Sequence, residues 1–205
     1  GLLITKGKLA PFIVTLATMT IFRGLTLVFM DGRPIAGPRD NFTFQFLGKG
    51  QVLGIPFQVI LFIIVYIILW MILNKTSYGR KIFAVGGNEK ASFISGINIA
   101  KSKTFVYVIS ALMAVISGLV LTSRLNSAQP TAGSAYEMDA IAAVVLGGTS
   151  MTGGSGSLTG TLIGILILGV LNNGLNLLGV SSFYQQIVKG IVILIAVLID
   201  RKRNK

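Results

Sequence analysis

PFQVILFIIVYIILWMIL, running from Pro56 to Leu73, is the stretch that decides the fold. It holds no charged side chain. As a helix rising 1.5 Å per residue it reaches about 27 Å, close to the hydrocarbon thickness of a bilayer. Pro56 suits the first turn of a helix, where a missing N–H is no loss. Outward from it lie four more apolar blocks of spanning or near-spanning length: Leu9 to Phe29, interrupted by Arg23-Gly24, then Thr104 to Ser123, Leu158 to Val180, and Tyr184 to Ile199. A sixth block, Ala140 to Leu146, is bounded by Asp139 and by Gly147-Gly148. It covers about 10–12 Å and reads as a re-entrant or broken helix, tolerated at depth only within protein or beside a wet cavity. The spacing predicts an all-α, polytopic transmembrane helix bundle with about five full spans plus one half-span. We expect one continuous membrane domain over residues 1–205.

Composition agrees with the bilayer as solvent. The chain has 205 residues, 53% hydrophobic and 12% charged, with a mean hydropathy of +0.80. Soluble domains carry about a quarter charged residues. There is no histidine and no cysteine. Disulfide frameworks, thiol chemistry, Cys/His metal sites and imidazole bases are therefore excluded. The balance of 18 Lys+Arg against 6 Asp+Glu would raise nucleic acid as a partner in a soluble chain. Here the cations lie between apolar blocks, not along an amphipathic face, so nucleic acid is not expected. The chain opens on Gly1 rather than Met, and we expect an N-terminal portion to precede it.

The same cations orient the bundle. Lys6 and Lys8 precede the first span; Lys75, Arg80, Lys81, Lys90, Lys101 and Lys103 lie between the second and third with Glu89; Asp200, Arg201, Lys202, Arg203 and Lys205 follow the last. On the other side Arg33, Arg39, Lys49 and Arg124 are balanced by Asp31, Asp40, Glu137 and Asp139. The positive-inside rule predicts the first group, with both ends of this segment, in the cytoplasm. Parity agrees if the half-span and the glycine-rich stretch after it together complete one crossing.

Several motifs fail on chemistry. Gly153-Gly154-Ser155-Gly156 fits the G-x-S-G string of intramembrane serine proteases, but no histidine is present to activate the serine. The stretch from Gly147 to Gly160 is as rich in glycine as a phosphate-binding loop but lacks its Gly-Lys-Ser/Thr ending. Glu137 and Asp139 read as caps of the half-helix N-terminus rather than as catalytic carboxylates. Gly156, Gly160 and Gly164 recur every four residues, which predicts one helix face for close packing.

Asn172 and Asn176 share a helix face, with Asn173 beside them; such amides either bond across helices or line a wet pathway. Asp139, Asn172, Asn173 and Asn176 are the candidate pathway residues. Arg23 and Lys189 lie near the outer ends of their spans, where both are expected to snorkel to the interface.

The loop from Asn74 to Lys103 is the most informative soluble segment. Asn88 suits an N-cap, Glu89 a first turn and Gly96 a stop, predicting a short helix from Glu89 to Ser95 that offers Phe93 and Ile94. It is either a connector on the membrane surface or a docking helix whose apolar pair fits a partner's groove.

Four strings carry a resemblance over nearly the whole chain: YGRKIFAVGGNEKASFISGIN (78–98), SAQPTAG (127–133), YEMDAIAAVVLGGTS (136–150) and LNNGLNLLGVSS (171–182). Together they resemble the membrane permease of bacterial ribose-type ABC importers. The resemblance implies a multi-pass protein of the bacterial inner membrane with no catalytic site of its own. It also implies a second permease subunit, two cytosolic ATPase subunits carrying ATP-Mg, and an extracytoplasmic sugar-binding protein. This chain itself is expected to bind no cofactor. The family's bundle is larger than five or six crossings, in keeping with a missing N-terminal part. Gly86, Gly87, Asn88, Glu89, Ala91, Gly96, Ile97 and Asn98 match the family's cytosolic coupling loop, here residues 74–103, through which ATPase closure would be passed on. The outer loops around Asp31 to Gln51 and Arg124 to Tyr136 would face the binding protein. No match fixes a sugar site.

Two other classes compete. An ion-coupled secondary carrier would use the half-span and the buried asparagines, with Asp139 as its one acidic candidate. A membrane scaffold without transport would need neither.

Overall fold

Each apolar block is helical in the computed structural model, which describes residues 1–38 and 41–203, by backbone alone at 193, 195–197 and 199–203. Arg39, Asp40 and Lys205, used in the charge reading above, lie outside the described residues. In chain order the helices are α1 (Leu2–Thr5), α2 (Pro11–Phe29), α3 (Phe42–Lys49), α4 (Phe57–Lys75), α5 (Ser77–Gly87), α6 (Glu89–Ile94), α7 (Ile99–Leu125), α8 (Tyr136–Leu146), α9 (Leu158–Leu177) and α10 (Ser182–Arg203). The strands are two residues each: β1 (Ile35–Ala36), β2 (Gln51–Val52), β3 (Ile55–Pro56) and β4 (Ser127–Ala128). The chain is 72% helical, which makes the fold all-α.

Among the described residues, α2, α4, α7 and α9 are long and apolar enough to cross a membrane. The fifth expected span lies within the 22-residue α10. Pro56 sits one residue before α4, as its N-cap. The third span is longer than its apolar core: α7 runs 27 residues because Asn98 caps it early, its Oδ1 accepting the Lys101 N–H at 3.0 Å. The half-helix α8 has 11 residues and rises about 16 Å, so it still covers only half a bilayer.

The chain divides into two compact units. One comprises Gly1–Ile82 and Lys90–Ala132, the other Phe83–Glu89 and Gly133–Lys205. In the first, α3 packs on α7 and α4, an element with no counterpart in the sequence reading, where Asp31 to Gln51 is a loop. Gly48 of α3 is buried with its Cα against the backbone of Ser123 and Arg124, where a Cβ would overlap both. The Ser123 hydroxyl, 1% exposed, donates to the Phe44 carbonyl. The Gln58 amide donates to the Gly48 carbonyl. Phe46 packs at a tilt against Phe42 and Phe57, with ring centroids 5.8 and 5.1 Å apart. In the second unit α8 packs on both α9 and α10, and Ala142, Ala143 and Leu168 form its core with Leu146 and Val192 against them.

Candidate functional site

The glycines around α8 explain how a half-helix is held. Gly164 of α9 meets the Ala143 carbonyl, and Gly160 meets that of Gly147, so closely that a Cβ at either glycine would overlap backbone. Two helices approach at carbonyl distance because no side chain keeps them apart. Gly156, expected on the same face, lies before the helix begins and packs instead on the Thr149 side chain. The stripe is therefore Gly160 and Gly164. Gly169, further along α9, meets nothing within 4 Å.

Beyond α8 the chain turns through Gly147, the C-cap, and Gly148 at φ +81°. The stretch from Thr149 to Ser157 is a tight loop, closed by the Ser150 N–H on the Ser155 carbonyl at 3.0 Å. Within it Gly153 (φ +91°) and Gly154 (φ +78°) lie directly on Gly86 and Gly87, the last residues of α5. A Cβ on Gly154 would come within 2.7 Å of the Gly87 Cα, and one on Gly86 within 2.9 Å of the Gly154 nitrogen. Two pairs of glycines thus bring the loop after α8 into backbone contact with the 74–103 segment.

That segment is more ordered than a single short helix. Gly86 and Gly87 end α5, Asn88 follows, and α6 runs from Glu89 through Ala91, Phe93 and Ile94. Gly96 at φ +78° stops it as expected, with the Ile97 N–H returning to the Ser92 carbonyl at 3.0 Å. Phe93 and Ile94 are 70% and 85% exposed. Asn98 is the cap of α7. Tyr78 of α5 stacks on Phe105 of α7 at 5.0 Å.

The opposite end of α8 holds a charge pair. Lys189 Nζ on α10 lies 2.8 Å from Asp139 Oδ2 in the first turn of α8, both side chains about two-thirds buried or more. One sequence expectation is corrected here. Lys189, expected at the interface, has a carboxylate partner within the unit. The Asp139 carboxylate is engaged by that lysine, and the N-cap position is Ala135, in left-handed conformation with no side-chain cap. Glu137 and Asp139 still favour the α8 dipole from its first turn. Arg23 is exposed on α2.

Of the three asparagines, Asn173 is exposed and Asn176 accepts a hydrogen bond from Gln185 Nε2 of α10 at 2.8 Å. Asn172 is half-buried, and its Oδ1 has no hydrogen-bond partner among the described residues. Gln185 and Lys189 were missed as site residues; their spacing of four on one helix face was the available signal.

The two outer loops of the sequence reading meet in the first unit. β1 pairs antiparallel with β4, Ile35 opposite Ala128 and Ala36 opposite Ser127, and the Gly37 N–H donates to the Asn126 carbonyl at 2.9 Å. One short sheet therefore joins the segments after α2 and α7.

Comparison with known proteins places this arrangement. The chain is 63% identical over 204 residues to the ribose import permease protein RbsC of Bacillus subtilis, covering 100% of this chain and 63% of that one. It is 53% identical over 206 residues to RbsC of Escherichia coli K12, covering 100% and 64%. To the L-arabinose transport system permease protein AraH of the same strain it is 41% identical over 205 residues, covering 100% and 62%. The chain thus spans a little under two thirds of the length of these curated relatives. No solved structure matches it. The family model for the permease component of the branched-chain amino acid transport system matches residues 1–197. With its spanning helices, its glycine-packed half-helix and a match that covers all but the last few residues, the chain belongs to this family of membrane transport permeases.

Proposed function

We propose that the chain is the greater part of a permease subunit of an ATP-driven importer that moves ribose or a similar monosaccharide into the cytoplasm. The relatives named above support the cargo. The observation that carries the mechanism is the backbone contact of Gly86-Gly87 with Gly153-Gly154. Residues 74–103 are the cytosolic coupling loop of one membrane domain, and α6 docks in a groove of a separate ATPase subunit through Phe93 and Ile94. Closure of the ATPase pair on ATP-Mg moves this loop. Because no flexible side chain intervenes between the glycines, the displacement passes to the loop after α8 and so to the half-helix. The same contact supports the orientation drawn from charge, in which the glycine-rich stretch finishes its crossing beside the cytosolic loop.

The assembly we propose has a second copy of the permease, two ATPase subunits and an extracytoplasmic sugar-binding protein that docks where β1 and β4 join the outer loops. ATP is hydrolysed on the partner, and this chain binds no cofactor. The ion-coupled alternative loses its main support because Asp139 is paired with Lys189.

The test is Phe93→Asp with Ile94→Asp in the full-length permease assembled with its ATPase. Anchors of this kind are worth about 2 kcal/mol or more in a docking site, so binding weakens about 30-fold. The variant inserts in the membrane while uptake collapses. Undiminished ATP-driven uptake removes the coupling assignment.

A further inference from the structure

The second unit carries a line of polar side chains through otherwise apolar helices, and the coupling mechanism uses none of them. Asn172 and Asn176 lie one turn apart on α9, Gln185 and Lys189 one turn apart on α10. The 2.8 Å bond from Gln185 to Asn176 sets the register of the two helices beside the turn that joins them. One turn further from that joint, about 6 Å along each axis, lie Asn172 on α9 and Lys189 on α10. There Lys189 holds Asp139 of α8, the helix that packs on both α9 and α10. On α9 the Oδ1 of Asn172 is buried, without a donor among the described residues.

We propose that Asn172, Asn176, Gln185, Lys189 and Asp139 form a polyol-binding subsite that takes the vicinal hydroxyls of a monosaccharide in transit; this rests on the importer reading above. The donor and acceptor inventory fits that cargo. A sugar hydroxyl both donates and accepts, and the set offers a carboxylate, an ammonium and three amides. Its charges cancel, so it holds a neutral solute without attracting an ion of either sign. In this subsite the Asn172 oxygen accepts a sugar hydroxyl hydrogen. Contacts that are few and polar suit a pathway, where binding must allow both arrival and departure.

A purely structural amide and a ligand-binding one respond in opposite ways to loss of the polar group. Replacing an unpaired buried amide by an apolar group of similar size is neutral or stabilising for the fold. The experiment measures uptake of labelled D-ribose by the full-length permease, with its ATPase and binding protein, in proteoliposomes, alongside the thermal stability of the solubilised complex. For Asn172→Leu, uptake at low ribose falls about tenfold while stability holds or rises, and Asn172→Gln, which keeps the amide, recovers part of the uptake. Uptake equal to wild type in Asn172→Leu overturns the subsite and leaves the importer reading standing. Uptake and stability falling together also overturns it, since Asn172 would then be a packing residue. A wild-type complex that takes up no monosaccharide overturns the importer reading and the subsite with it.

Discussion

α4 and α8 are both apolar helices, and they are held in place by different physics. α4 is 19 residues long, apolar all round and buries none of its residues within the chain. α8 is 11 residues long, buries Ala142, Ala143 and Val145, carries two carboxylates in its first turn and is gripped by glycines at its far end. A span of full length satisfies its backbone alone and needs only lipid around it. A half-helix cannot, so its ends must be met by protein. The lesson is that hydropathy identifies what faces lipid, while small residues and isolated charges identify what faces other helices.

The sharpest way to break this contrast is a large side chain on the glycine face. Gly160→Leu puts a side chain into the backbone of Gly147, and overpacking there should destabilise the unit by about 3 kcal/mol. The expected outcome is loss of folded complex in detergent extraction and size-exclusion profiles. A normally assembled Gly160→Leu protein would mean that α8 is not held by backbone approach.

A smaller effect is expected at the other end of α8. Lys189→Met leaves the Asp139 carboxylate unpaired among apolar helices and should cost about 1–2 kcal/mol, read as a lowered unfolding temperature. Adding Asp139→Asn should recover most of that loss, because the unpaired charge is then gone. If the double variant is no better than the single, the two side chains are not coupled. Least of all is expected from Gly169→Leu, the same substitution on the open side of α9. With nothing within 4 Å it should change stability by less than about 0.5 kcal/mol.

These outcomes track what could be read in advance. The spans and the stop at Gly147-Gly148 were legible because run length and glycine punctuation are local properties. Gly160 and Gly164 were legible as a face because four-residue spacing survives in any helix, whereas Gly156 misled because the spacing runs on past the helix start at Leu158. The Ser157 hydroxyl caps α9 by accepting the Gly160 N–H at 3.3 Å. Lys189 was assigned to the interface because its partner lies 50 residues away and no local pattern announces it. Helix α3 was hidden for a similar reason. Its phenylalanines at 42, 44 and 46 alternate as in a strand, and the helix depends on Asn41 capping Phe44 and on α7 receiving Gly48. The contact of Gly86-Gly87 with Gly153-Gly154 could not be read at all, since the two dipeptides lie far apart in sequence and nothing local pairs them until the chain folds.

The strand pair β1–β4 also sets a clock on biosynthesis. It brings together Ile35 and Ser127, 92 positions apart, with α3, α4, α5, α6 and α7 made in between. At ribosomal rates of about 5–20 residues per second, the segment around Ile35 waits roughly 5–20 s for Ser127 to emerge. Until then its edge is open to any passing strand. The sheet can close only once α7, which precedes β4 in the chain, has been made.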